Sequence, residues 1–112
     1  NQNTTWAKNR TIDEIKKMLA NSNVIITLWN KNNLVGFGRA TTDQVYRAVL
    51  WDIVISKEMQ RLGLGKVIVE ELLKDKKIRS AEKVYLMTTD SKDFYKQLGF
   101  KVIIHQNLMI LN

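Results

Sequence analysis

The sequence predicts a single α/β domain of the α+β kind: a mixed, mainly antiparallel sheet flanked by helices, with one parallel strand pair. Three observations predict it. Two apolar runs, VIITLW from Val24 and LVGFGRAT from Leu34, are separated by the turn residues NKNN, which makes an antiparallel hairpin. A third apolar run ending at Ile55 is followed by glycines, an amphipathic helix and a fourth apolar run, KVYLMT, and that order requires a right-handed crossover to a parallel neighbour. Finally, 112 residues with 45% hydrophobic content and no Pro suit one domain with one core and exclude a disordered or linker-rich chain.

The elements follow in order. From Thr11 to Ala20, TIDEIKKMLA carries a Thr cap, acids in its first turn, and Ile12, Ile15, Met18 and Leu19 at helical spacing. An amphipathic helix laid over the sheet is expected. Asn21 to Asn23 interrupt it before the first strand, which reaches Trp29; in the second strand Gly36 and Gly38 thin one face. Asp43 and Gln44 form a turn ahead of VYRAVLWDIVI, whose apolar run is wider than simple alternation and reads as a central strand covered on both faces. The next helix buries Leu64, Ile68 and Leu72 with Val69 and Leu73 beside them, and sets Glu70 and Lys74 at i,i+4 on its wet side. After KVYLMT, Asp90 or Ser91 caps a short helix, SKDFYKQL, ended by Gly99. Two last apolar runs, FKVIIH and NLMIL, are expected to complete the sheet.

Composition removes whole classes of function. Without Cys there is no disulfide scaffold, thiolate zinc site or cysteine nucleophile, and the single His, His105, reads as structural, so no metal site is expected. No apolar run approaches the roughly 18–20 residues of a membrane span, and NQNTTWAKNR lacks a signal-peptide core, so a soluble intracellular protein is expected. The net charge of +7 suits a small polyanionic ligand or an acidic protein partner. No nucleic-acid partner is expected, because no aromatic–basic interleaving accompanies the charge; the dense group Lys74, Lys76, Lys77 and Arg79 reads as a solvated helix end.

Chemistry concentrates between Leu50 and Lys74. A buried strand that runs into glycines and a helix presents free backbone N–H groups on which a phosphate can sit. Gln60-Arg61-Leu62-Gly63-Leu64-Gly65-Lys66 thus points to an anion-carrying cofactor, although the same glycines also fit a plain strand-to-helix corner. The stretch is not a P-loop, whose G-x-x-x-x-G-K-S/T spacing fails, nor a dinucleotide fingerprint, whose third glycine is missing.

Gln60 to Gly65 matches the Q/R-x-x-G-x-G/A motif of the GNAT acetyltransferase superfamily, and Phe94-Tyr95-Lys96-Gln97-Leu98-Gly99-Phe100 resembles its F-Y-x-x-L-G-F signature. One helix and one strand separate them, as that fold requires. The resemblance extends from about Trp6 to the end of the chain. The strings VGFGRAT, AVLWDIVI, VYLMTT and FYKQLGF are similar to a cyanobacterial and plastid branch related to plant-type serotonin N-acetyltransferases, some of which are also described as protein lysine acetyltransferases. It implies one GNAT-like domain over residues 1–112, short of the usual N-terminal strand and helix, in a bacterial cytoplasm or plastid stroma, with homodimers common among similar proteins. It implies acetyl-CoA as cosubstrate and direct transfer to a primary amine, an arylalkylamine such as serotonin. A protein lysine is the alternative acceptor, and a non-catalytic coenzyme A-binding module is the alternative of a different class.

By the same resemblance, Ile53, Val54 and Ile55 pair through their backbone with the pantetheine arm. Gln60, Arg61, Leu62, Gly63, Leu64, Gly65 and Lys66 hold the pyrophosphate, and the sheet splays after that strand to leave the thioester a slot beside Val84 to Thr88. Tyr95 is the implied general acid for the departing thiolate, a phenol of pKa about 10 being matched to a thiol leaving group. Its alternative is a core-filling tyrosine beside Phe94 and Phe100. No covalent intermediate is needed, in agreement with the absence of Cys. For the general base, Asp52 is the one charge inside an apolar strand, and reads either as a catalytic or substrate-binding acid or as a structural acid bonded to Arg39 or Arg47. Strict alternation sets it on the face of Leu50 and Val54, opposite Trp51 and Ile53. Asp90 is its rival, as a substrate-binding acid or a helix cap, and water relaying the proton is a third route. The chain departs from the pattern at Lys57, where many relatives carry Pro, and at Thr88, where many carry Asn, leaving Thr89, Asp90 or Ser91 to make that coenzyme contact. Trp6, Trp29 and Trp51 read as core.

Overall fold

In the computed structural model, residues 11–112 are described; Trp6 lies outside them. The first element is α1 (Ile12–Ala20), closed at its start by a reciprocal capping box between Thr11 and Glu14. Four strands follow in the spatial order β1 (Val24–Asn30), β2 (Asn33–Thr42), β3 (Arg47–Ile55) and β4 (Lys83–Leu86). The first three are mutually antiparallel and β4 runs parallel to β3, which is the mixed sheet expected. Between β3 and β4 the crossover carries a single 3₁₀ turn (Lys57–Met59), then α2 (Leu64–Lys74) and the short α3 (Lys76–Arg79); α4 (Lys92–Gln97) comes after β4.

Both hairpin turns are built by local chemistry. Lys31 takes a left-handed φ of 57° in the first, and Gln44 takes 66° in the second. Asp43 Oδ1 accepts the backbone N–H groups of Val45, Tyr46 and Arg47 at 2.8, 2.7 and 3.1 Å. Those donors, Val45 first, hold its carboxyl below the usual carboxylate range.

The core lies between α2 and one face of the sheet. Ile68, Val69 and Leu72 of α2 and Ile78 of α3 are fully buried against Val24, Ala40, Ala48 and Leu50. Each such side chain contributes about 1.5–3 kcal/mol. Leu64 is only half-buried, so the inner stripe runs through Val69 rather than Leu64. The helix sits this close because Gly36 and Gly38 lie under it: a Cβ on Gly38 would stand 2.5 Å from Ile68 Cγ2 and 2.9 Å from Ile53 Cδ1. On the outer side Lys74 pairs with Glu71 at 3.2 Å, at i,i+3, instead of with Glu70.

Three expectations are corrected. β3 is not covered on both faces: the face away from α2 is open enough to leave Trp51 40% exposed, and Trp29 of β1 is exposed as well, so neither tryptophan is core. α1 buries none of its residues completely, and Ile12 in its first turn is exposed, so the helix covers little of that face. FKVIIH and NLMIL form no strands; Ile104, Leu108, Met109, Ile110 and Leu111 are exposed, and His105 lies among them outside any element. An apolar run has strand character only when a neighbouring strand supplies hydrogen bonds and a covered face, and none lies beside these residues in the described structure.

Candidate active site

The site grows from a break in the β2–β3 register. Gly38 pairs with Ile53 and Ala40 with Leu50, so two steps on β2 match three on β3, and Arg39 faces both Trp51 and Asp52. This is a β-bulge, and it changes the phase of the strand. Leu50 and Ile53 both pack toward α2, while Trp51 and Asp52 both join Arg39 and Thr41 on the open face. The alternation that grouped Asp52 with Leu50, and Trp51 with Ile53, is thereby corrected; the extra residue inverts it.

Polar contacts hold the bulge. Arg39 Nε donates to Asp52 Oδ2 at 2.9 Å, with side-chain exposures of 16% and 22%, and Arg39 Nη1 donates to Ser22 Oγ at 3.2 Å. The same guanidinium lies 5.7 Å from the centre of the Trp51 ring, whose Nε1 donates to Thr41 Oγ1 at 2.8 Å. Of the two partners open to Asp52 in the sequence, the structure selects Arg39; Arg47 stacks on Tyr85 at 5.9 Å.

The β3–β4 ladder ends at the Leu50–Leu86 pair, but β3 continues to Ile55. Trp51 to Ile55 therefore have no strand along that edge, and alternate residues among them turn their N–H and C=O groups to it. The lane leads to the glycine segment. Gln60 Nε2 donates back to Ile55 O at 3.2 Å, Arg61 takes a left-handed φ of 68°, and Gly63, at φ 78°, caps α2. The first helical bond there is Val67 N–H to Gly63 O, so the N–H groups of Leu64, Gly65 and Lys66 have no partner within the helix. A Cβ at Gly63 would meet nothing within 4 Å, while Leu62, Arg61 and Lys66 are exposed around it. Open space, free N–H donors, a helix N-terminus and two cations fit the pyrophosphate of acetyl-CoA. The Cβ position of Gly65 lies 3.4 Å from the Phe94 ring, so α4 packs against the first turn of α2.

That contact brings Tyr95 to the same end of the sheet. Tyr95 packs edge-on to Phe94 and Phe100, at 5.0 and 6.1 Å between ring centres, and touches the core. Its hydroxyl makes no hydrogen bond among the described residues, and burial pushes the phenol above its ordinary value. Asp90 does not cap α4: Ser91 stands at the N-cap without a side-chain bond, Ser91 Oγ donates to Asp90 Oδ1 at 3.3 Å, and Thr88 Oγ1 accepts the Ser91 N–H at 3.0 Å. Asp90 is exposed. Two features escaped the sequence reading. Trp51 stands on the open face, and Ser56, where β3 meets the glycine segment, has a buried hydroxyl without a partner among the described residues. The wide apolar run around Trp51 was the only trace of the bulge.

Comparison with known proteins bears on this arrangement. The signature of the acetyltransferase (GNAT) family matches residues 2–100. The uncharacterized N-acetyltransferase ycf52 of Pyropia yezoensis is 40% identical over 100 residues, covering 85% of this chain and 57% of the relative, so the chain spans little more than half of that protein. The chloroplastic GCN5-related N-acetyltransferase 2 of Arabidopsis thaliana is 38% identical over 73 residues, 63% of this chain and 28% of that protein. A GNAT-family acetyltransferase structure from Streptococcus pneumoniae superposes with a TM-score of 0.82 at 23% identity, covering 96% of this chain and 84% of the other, a likeness of fold. With its sheet, its glycine-capped helix and its family signature in agreement, the chain belongs to the acetyltransferase (GNAT) family.

Proposed function

We propose that the protein is an acetyl-CoA-dependent N-acetyltransferase that acetylates a primary amine, with an arylalkylamine such as serotonin as its acceptor. One observation carries this reading: β3 runs beyond its last pairing with β4 directly into the free N–H groups at the start of α2. From Trp51 to Ile55 the lane spans about 13 Å at roughly 3.3 Å per residue, which suits an extended pantetheine arm anchored by its pyrophosphate at Gly63.

Bound acetyl-CoA supplies the thioester; transfer forms the bond between amine nitrogen and acetyl carbon and breaks the carbon–sulfur bond. The rest falls to the chain. Backbone groups of Ile53, Val54 and Ile55 hold the arm, and the segment Gln60 to Lys66 holds the phosphates, with charge from Arg61 and Lys66. Asp52, through the oxygen that Arg39 leaves free, receives the acceptor's ammonium and accepts its first proton for release to solvent. The Tyr95 hydroxyl gives its proton to the departing thiolate and is restored by the second proton of the ammonium, so the amine loses two protons, one to solvent and one to coenzyme A. A phenol is protonated at neutral pH, as this role needs, and burial shifts Tyr95 further in that direction. Asp90, exposed at the mouth of the α4 turn, is assigned to acceptor binding.

A protein lysine is the second reading, favoured by the exposed cations Lys74, Lys76, Lys77 and Arg79, which suit an acidic sequence around the target; a soybean relative, 29% identical over 109 residues, is named as a histone acetyltransferase. The chloroplastic relatives favour a plastid stroma, with a bacterial cytoplasm as the alternative. Thermal unfolding with and without acetyl-CoA tests the cosubstrate: at about 100 times Kd it adds roughly 2.7 kcal/mol, or about 10 °C or more in Tm. No shift at millimolar coenzyme would overturn the assignment. A panel of serotonin, tryptamine, polyamines and lysine peptides then ranks acceptors by kcat/KM, and a peptide at the head of the ranking would replace the amine.

A further inference from the structure

We infer that the end of the domain remote from the glycine segment is a docking surface for an acidic protein segment: Val45 and Tyr46 take its apolar side chains, and Lys76, Lys77, Arg79 and Lys83 around them pair with its carboxylates. This surface does not depend on acetyl transfer. The length of α2 separates it from the glycine-capped helix start, with Lys74 about 15 Å along the axis from Leu64.

Contacts between distant segments assemble this end. Val45 O accepts the Glu82 N–H at 3.1 Å and Tyr46 O accepts the Lys83 N–H at 2.9 Å, so the β2–β3 turn lies against the start of β4. Thr42 N–H donates to Asn23 Oδ1 at 2.7 Å and Lys77 Nζ donates to Asn23 O at 3.5 Å, which brings α3 beside the same turn. Val45 and Tyr46 are 56% and 61% exposed, although Asp43 and β4 fix their backbone. Covering apolar surface on a rigid turn costs little entropy, and tyrosine is a common anchor at such points. The four cations around it are exposed and form no ion pair among the described residues. The acids nearby are largely committed: Asp43 Oδ1 accepts three backbone N–H groups and Asp75 Oδ1 accepts the Lys77 N–H at 2.9 Å, leaving Glu82 against four cations. Past Arg79 the surface continues into a groove of about 480 Å³ lined by Glu70, Leu73, Lys74 and Arg79. A lipid surface fits this end less well, because exposed Asp43 and Glu82 stand beside the apolar tip and immersion would press both onto anionic headgroups. A protein segment sets its carboxylates over the cations and leaves those two acids in water.

The test follows the fluorescence anisotropy of a fluorescein-labelled peptide of glutamates interrupted by leucines, titrated with the full chain at low ionic strength, with and without acetyl-CoA. Binding should persist with acetyl-CoA present and weaken as salt rises. The double reversal Lys77→Glu with Arg79→Glu should raise Kd on the order of tenfold more than the matched reversal Lys57→Glu with Lys92→Glu. Tyr46→Ser should raise it on the order of tenfold. No binding by the wild type, displacement of the peptide by acetyl-CoA, or equal weakening by the two double reversals overturns the docking surface. Phosphatidylserine vesicles bound more tightly than the peptide, and lost in the Lys77→Glu and Arg79→Glu variant, overturn the protein partner in favour of a lipid surface. Should Tyr46→Ser fail to fold, the comparison of the two double reversals decides alone, since all four of their positions are exposed.

Discussion

Replacing Arg39 with Met removes three contacts at the bulge while keeping most of the side chain's volume. The charged hydrogen bond to Asp52 at 2.9 Å is partly exposed, so it is placed at the low end of the usual range, about 1.5 kcal/mol. The bond to Ser22 at 3.2 Å contributes about 0.5–1 kcal/mol, and the guanidinium over Trp51 about 0.5–1 kcal/mol. Some packing of the stem is retained by Met. The expected loss is about 2.5–3.5 kcal/mol, or roughly 10–28 °C in Tm at about 4–8 °C per kcal/mol. Urea denaturation of wild type, Arg39→Met, Asp52→Asn and the double variant, followed by circular dichroism, isolates the pair. Arg39 and Asp52 should couple by about 1–2 kcal/mol. Losses that add to within about 0.3–0.5 kcal/mol would show that backbone geometry alone holds the bulge, and would remove the reason for assigning Asp52 a fixed orientation.

Tyr95→Phe should reduce kcat by about 10²–10⁴-fold while KM for acetyl-CoA stays within about twofold; unchanged turnover removes Tyr95 as the acid. The same variant carries a stability prediction. Because burial raises the phenol, the folded state holds that proton more tightly than the unfolded chain, so stability falls as pH rises above about 10. Tm between pH 9.5 and 11 should therefore decline less steeply in Tyr95→Phe than in wild type, and parallel declines would refute the burial argument. For Asp43 the sign is reversed: its lowered carboxyl stabilises the fold above the unfolded value of about 4, and that stabilisation is lost as pH falls through the folded value. Asp43→Ala should flatten the acid end of a Tm–pH curve, and an unaltered curve would show that the turn needs no carboxylate. Gly38→Ala should lose about 1–3 kcal/mol by overpacking, since its Cβ would lie 2.5 Å from Ile68 Cγ2 in a fully buried layer; Tm at or above wild type would show that α2 yields freely.

The α1 cap, both hairpin turns, the parallel crossover and the helix following the glycines were legible because each is written in neighbouring residues: Thr11 with Glu14, Asp43 with the three amides after it, Gly63 where a left-handed φ is needed. The glycine-capped start of α2 was legible for the same reason, since it depends on a few consecutive positions.

Everything decided between elements lay beyond that range. Whether Asp52 joins Arg39 depends on how many residues of β3 oppose those of β2, and one extra residue inverts its face; whether Trp51 is core or exposed depends on what covers the face it shares with Arg39. The contact of Gly65 with Phe94 joins two helices, and no run of neighbouring residues announces it. The final apolar runs had the pattern of strands without the partner that makes one. The sequence by itself determined α1 to α4, β1 to β4 and their order, together with the glycine-capped start of α2, because periodicity and capping act over a turn or two of chain. Tertiary structure alone decided which side chains meet at the bulge and which stay exposed, because register, pairing and exposure belong to the contact between two segments and are properties of neither.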